Sequence, residues 1–358
     1  MRVLGGVGIL AFLLWRLGTG PFLHGLRVID AGALAAAVGI GVLTTVACAW
    51  RWTLVARGLG VRLPVRTAVA AYYRSQFLNT TLPGGVLGDV HRAVHHGRDV
   101  GDVGRGIRAV VLERFAGQVV QVVIAVVVLL ALPSPVRSRM PAVAAILAVA
   151  GLGAVLLGRL RTGRAQPEPV CGGGEHAPRG TGRAQPEPVC GGGEHARRPP
   201  AGGASRFARA LRTGASDLRA GLLGRHNGPG IVLASAVVVV GHLATFLVAA
   251  RTAGATAPLT RLAPLGLLIL LAMALPVNVG GWGPREGVAA WAFGAAGLSA
   301  TLGVSTAVVY GVLAFAASLP GAGVLMSRWI VRVRSGRGRA GERRRAPAPV
   351  SRENAIHD

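Results

Sequence analysis

Twenty consecutive residues without a charge, Ala31 to Trp50, constrain this chain more than any other stretch of it. A helix of about 20 apolar residues spans the hydrocarbon core of a bilayer, roughly 30 Å. Similar runs recur at Ala109 to Leu132, Pro141 to Gly158, Gly230 to Ala250, Leu262 to Val277 and Val304 to Met326. Val3 to Trp15 is shorter, but no small-x-small cleavage site follows it in Leu17-Gly18-Thr19-Gly20-Pro21. It reads as an uncleaved first span extended toward Leu23, with Arg16 snorkelling, rather than as a signal peptide. Gly287 to Leu302 is apolar and short, and either crosses or re-enters. The composition fits a chain whose solvent is lipid: 51% of the residues are hydrophobic and 15% charged, with a mean hydropathy of +0.51. A soluble domain carries about a quarter charged residues. The expected fold class is all-α, a polytopic membrane protein of about eight transmembrane helices with two Gly/Pro-broken, re-entrant-type segments.

The basic residues number 39, all of them arginine, against 14 acidic ones, for a formal charge of +25. The abundance of Ala, Gly, Val and Pro beside them fits a GC-rich coding bias. With 5% aromatics, and arginines lying mainly between apolar runs, the charge does not describe a nucleic-acid platform. It does orient the spans. Twelve arginines in 159–225, nine in 51–108 and the Arg343-Arg344-Arg345 tail mark cytoplasmic segments by the positive-inside rule. Both termini are then cytoplasmic in a multi-pass plasma-membrane protein. The expected organisation is an N-terminal transmembrane half at 1–158, an insert at 159–203, an amphipathic helix with the C-terminal transmembrane half at 204–327, and a basic tail at 328–358.

The insert contains a duplication. TGRAQPEPVCGGGEHA stands at Thr162–Ala177 and again, unchanged, at Thr181–Ala196. Its Pro, Gly and charge content cannot build a core, so a disordered linker that tolerates insertion is expected. Each copy sets a Cys and a His five apart, Cys171 with His176 and Cys190 with His195, a weak echo of a Cys₂His₂ site. Ser205 to Arg225 alternates arginine with Phe207, Leu211, Leu218 and Leu222, the pattern of an interfacial helix drawn to anionic headgroups.

Two segments break the apolar pattern alike. One runs from Asn79 through Leu82-Pro83-Gly84-Gly85 to Asp89 and Arg92; the other runs from Leu275-Pro276 through Asn278 and Gly280-Gly281 to Arg285-Glu286. Proline and paired glycine stop a helix and leave backbone groups without partners, which in a bilayer must face protein or a wet cavity. Interruptions at matching places in two halves point to a transporter's binding site. Asp89, Glu113 and Glu286 lie at or beside these membrane-embedded positions, where a lone charge costs about 2.5–3.5 kcal/mol. Arg92, Arg114 and Arg285 are each near one of them. Neighbours on a helix do not face each other, so Glu113 and Arg114 are expected to pair with other segments. The expectation is one buried cluster of three acids and three arginines between the halves, holding a phosphate-bearing headgroup or clamping helices. His91, His95 and His96 read as a solvated basic helix rather than a zinc site, and His242 as a satisfied interior histidine. No catalytic triad, phosphate loop or cofactor signature stands out, and no cofactor or metal is expected.

These motifs carry a likeness. Arg51-Trp52 closing the second span, FLNTTLPGGVLGDVHR at Phe77–Arg92, LERF at Leu112–Phe115 and LPVNVGGWGPREG at Leu275–Gly287 resemble the family related to the transmembrane region of lysylphosphatidylglycerol synthases. The resemblance implies a stand-alone flippase-like protein without the synthases' soluble aminoacyltransferase domain. It also implies site positions at Asn79, Asp89, Arg92, Glu113, Arg114 and Glu286, to which the charge argument adds Arg285. The leading expectation is translocation of a phospholipid or polyprenyl-linked lipid, with membrane lipids and their anionic headgroups as partners and no covalent chemistry. A membrane-embedded lipid-linked glycosyltransferase and a non-catalytic scaffold remain as alternatives.

Overall fold

The computed structural model describes residues 2–82, 86–146, 148–149, 227–274, 282–327 and 329–330 of the chain. The duplication, the helix expected at 205–225, the tail beyond 330 and the tips of both broken motifs (83–85 and 275–281) lie outside the described residues, as do 147 and 150–158 of the run from Pro141 to Gly158. Residues 1–141 and 217–358 form one compact unit, which holds almost everything described; 142–216 form a second.

Within the described residues the elements are helical. They are α1 (Arg2–Leu17), α2 (Gly20–Arg27), α3 (Ala31–Gly58), α4 (Val65–Thr81), α5 (Leu87–Val100), α6 (Val103–Ala131), α7 (Gly228–Thr252), α8 (Leu259–Met273), α9 (Pro284–Ala295) and α10 (Ala300–Ser318). Four helices among these residues are long and apolar enough to cross a membrane: α3, α6, α7 and α10 continued to Ser327. At 28 residues α3 is about 42 Å long, more than the hydrocarbon thickness.

Local chemistry sets the boundaries. The Asp30 carboxylate accepts from the Ala33 N–H at 2.6 Å, that of Asp102 from Arg105 at 2.9 Å, and the Ser299 hydroxyl from Leu302 at 3.1 Å. Each satisfies a backbone donor that a helix start leaves without a partner, for α3, α6 and α10 in turn. The first span departs from expectation. No single helix runs from Val3 to Leu23, because the chain turns at Gly18, φ +70°, and α2 restarts with Pro21 in its first turn. The run from Gly287 to Leu302 is also divided. The 12-residue α9 ends at Ala295, a turn follows with Gly297 at φ +76°, and α10 begins at Ala300.

The packing of α6 inverts that of a helix in a soluble protein. Val111, Phe115, Val119, Val123 and Val127 form an i, i+4 row down α6, each between 45% and 58% exposed. The charged Glu113 on the same helix is 0% exposed. Apolar residues outside and charges inside suit a hydrocarbon surround, where a lipid-facing valine forfeits nothing and a lipid-facing carboxylate forfeits its hydration. The main core joins α7, α8, α9 and α10 through Phe246, Leu262, Leu265, Phe293 and Leu313. A smaller one, centred on Trp52 and Tyr72, ties α3, α4, α5 and α6 together and carries the first charged network.

Candidate functional site

The α4–α5 hairpin is closed by its own side chains. Asn79, in the last turn of α4, accepts from the Gly88 N–H at 2.8 Å and donates to Asp89 Oδ2 at 3.2 Å. The Ser75 hydroxyl donates to the other Asp89 oxygen at 2.9 Å. A Cβ at Gly88 would run into the Ser75 backbone, so the two helices meet there at main-chain distance. Asp89 is thereby fixed in the first turn of α5, and it accepts from Arg114 of α6 at 2.6 Å.

Arg92 follows one turn later. Its Nη2 donates to Asp89 Oδ1 at 3.2 Å and to Glu113 Oε2 at 3.0 Å. The guanidinium lies over the rings of Tyr72 and Trp52, 4.2 and 4.6 Å from their centroids. Glu113 Oε1 accepts from Arg51 Nε at 2.9 Å and from the Tyr72 hydroxyl at 3.0 Å, and Arg51 Nη2 reaches the same oxygen. Arg51 Nη1 donates to Ser235 on α7 at 3.1 Å. Three guanidiniums thus face two carboxylates across α3, α4, α5, α6 and α7, with Arg114 alone half exposed. Charged hydrogen bonds of this kind compensate the desolvation that burial imposes.

The second broken motif builds its own pair. Arg285 donates to Glu286 Oε1 through Nε at 2.8 Å and Nη2 at 2.5 Å. Glu286 Oε2 accepts from the Gly283 N–H at 2.7 Å. That bond folds the carboxylate back over the start of α9, which brings it within reach of an adjacent residue that an open helix would hold apart. Arg285 also sits over Trp282 and Tyr310, at 4.8 and 5.7 Å. The Tyr310 hydroxyl lies 3.1 Å from His242 Nδ1 on α7, so His242 is a partnered interior histidine.

The expected single cluster is therefore two. Asn79, Asp89, Arg92, Glu113 and Arg114 come together, while Arg285 and Glu286 bond to each other at the other motif. Glu113 and Arg114 do reach other segments, as their adjacency required. Arg51, Tyr72, Trp52, Ser75 and Ser235 complete the first network, and none of them is among the site residues expected from the sequence. Of these, Arg51 and Trp52 carried a signal, as the pair that closes a twenty-residue apolar run and belongs to the family-like motifs.

Beside this network a cavity of about 320 Å³ opens between α4 and α5. Arg66, Arg74, Arg92, His95, His96 and Asp99 supply its ionisable lining, with Trp52 among its apolar walls. His95 Nδ1 is 3.0 Å from Asp99, and the His96 ring stands edge-on to Trp52 at 5.1 Å. Burial, against the pull of Asp99, holds His96 below the ordinary histidine value.

A sequence profile of the family described as lysylphosphatidylglycerol synthase TM region matches residues 1–168 and 192–321. The chain belongs to this family. The family match skips 169–191, inside the duplicated insert, and takes in both broken motifs and both charged networks. No curated protein and no solved structure gave a match. Family and helices together make this a multi-pass α-helical membrane protein.

Proposed function

We propose that this protein is flippase-like and carries a phospholipid or polyprenyl-linked lipid across the plasma membrane without covalent chemistry. The carrying observation is the first network, in which buried arginines and carboxylates join both sides of a broken helical hairpin to three apolar helices long enough to span a bilayer. Ionisable side chains within transmembrane segments are costly, pair with one another, and by default mark a path for a polar substrate. Guanidiniums grip phosphate with paired donors, and the α4–α5 hairpin supplies non-helical backbone where a headgroup passes. Family membership supports the same reading. In this picture about eight spans cross the membrane with both termini cytoplasmic. The two networks would serve the two halves, which rock to open the passage to each leaflet in turn.

Leaflet exchange in sealed liposomes tests it, with the purified chain and fluorescent lipids of several headgroups. Dithionite added outside reduces only outward-facing label. Wild-type protein is expected to raise the reducible fraction well above protein-free vesicles. Arg114→Gln, which removes the charged bond to Asp89, and Glu286→Gln, which removes the charge facing Arg285, should each slow exchange about tenfold or more. Exchange at the protein-free rate for every headgroup, from protein that melts normally, would instead favour a structural clamp.

A further inference from the structure

The cavity between α4 and α5 has features that a helix clamp does not need. Arg92, 1% exposed, lines it, and among the described residues its Nε and Nη1 have no hydrogen-bond partner. The Trp52 indole N–H, also at the cavity, is likewise unpartnered. Buried donors without acceptors are unfavourable, and a polar cavity beside them gives an acceptor, water or ligand, a place to meet them. The surrounding charge gives the sign of that acceptor. The network behind Arg92 has one more guanidinium than carboxylates, and Arg66 adds one more cation from α4. The lining's one carboxylate, Asp99, already lies against His95 at 3.0 Å.

We propose that this cavity binds a terminal phosphate, as a phosphomonoester or diphosphate, with Arg92 at its floor and Arg66 at its rim. A terminal phosphate carries about −1.5 to −2 at neutral pH and offers three free oxygens. A phosphodiester carries a single charge and fewer free oxygens, and would leave part of the positive excess uncompensated. The volume, about 320 Å³, lies at the small end of ligand cavities, roughly 300–1,000 Å³, so it takes a headgroup and leaves lipid chains outside. The proposal rests on reading the neighbouring network as the docking place of a transported headgroup. The terminal phosphate itself has two sources, a lipid anchor or a soluble metabolite.

Titration calorimetry on the full chain in a non-ionic detergent distinguishes them, with dihexanoyl phosphatidic acid, dihexanoyl phosphatidylglycerol and inorganic pyrophosphate as probes. Phosphatidic acid is expected to bind about tenfold or more tightly than phosphatidylglycerol, which has the same chains. Arg66→Gln, exposed at the rim and outside the buried network, should weaken phosphatidic acid about threefold to tenfold at an unchanged Tm. Pyrophosphate matching phosphatidic acid points to a soluble ligand; pyrophosphate much weaker points to a lipid. Equal affinity for the two lipids, or phosphatidic acid binding that ignores Arg66→Gln, overturns the proposal. Leaflet exchange that persists without phosphate selectivity overturns this inference alone, and selective binding without exchange overturns the transport reading alone.

Discussion

Each oxygen of Glu113 answers a different arginine, Oε1 taking Arg51 and Oε2 taking Arg92, with the Tyr72 hydroxyl also on Oε1. Removing that charge leaves two buried guanidiniums facing a neutral amide. Glu113→Gln is expected to destabilise by about 3–5 kcal/mol, seen as a lower Tm in detergent. Adding Arg51→Met should recover part of the loss, because a buried cation then goes with its counter-charge. A double variant no more stable than the single one would place the loss in packing instead. The sequence exposed Glu113 as a charge in an apolar run and grouped it with Arg92, but its other arginine, Arg51, lies 62 residues away and no local rule names it. Arg285 and Glu286 illustrate the opposite case. Adjacency argues against pairing, and only the return of Glu286 to the Gly283 N–H makes it possible.

At the level of helices, two of the three arginines that bond a buried glutamate, Arg51 and Arg285, lie against a glycine of a neighbouring helix. A Cβ at Gly117 would meet the Arg51 guanidinium carbon at 3.0 Å, and one at Gly311 would meet that of Arg285 at 3.0 Å. Gly311→Ala should therefore destabilise by about 1–3 kcal/mol through overpacking. Gly294, on α9 with nothing within 4 Å of an added methyl, makes the contrast. Gly294→Ala should be neutral or stabilise by up to about 1 kcal/mol, since alanine restricts the unfolded chain and favours helix. Paired melting curves decide it, and equal shifts would refute the steric account. Such contacts are invisible in sequence, where Gly294 and Gly311 look alike. The long apolar runs were legible because length alone marks them: Ala31 to Trp50 falls within α3 and Gly230 to Ala250 within α7. The division of the 287–302 run was not, because a turn at Gly297 competes with an apolar pattern that favours continuing the helix.

At the scale of the whole molecule, the lipid-facing surface matters most, and α6 turns valines outward there while burying the charge of Glu113. The α6 row from Val111 to Val127 is the plainest test. Val123→Arg would set a cation in the lipid-facing row at about 2.5–3.5 kcal/mol on insertion scales. The membrane-integrated fraction after alkaline carbonate extraction should fall accordingly, and an unchanged yield would remove the lipid-facing assignment of this row. The two broken motifs were legible as a pair because their proline, glycine and charge content repeats; their failure to merge into one cluster was not, since sequence order holds no distance between them. Yet α7 touches both. Ser235 binds Arg51 and His242 meets Tyr310, the ring under Arg285, and the two α7 residues are seven apart, close to two turns and thus on one side of the rod. A shaft keyed at two places cannot twist at one key and stay still at the other. Both sockets therefore lean on the same rod, Arg51 at one point along it and Tyr310 two turns further on.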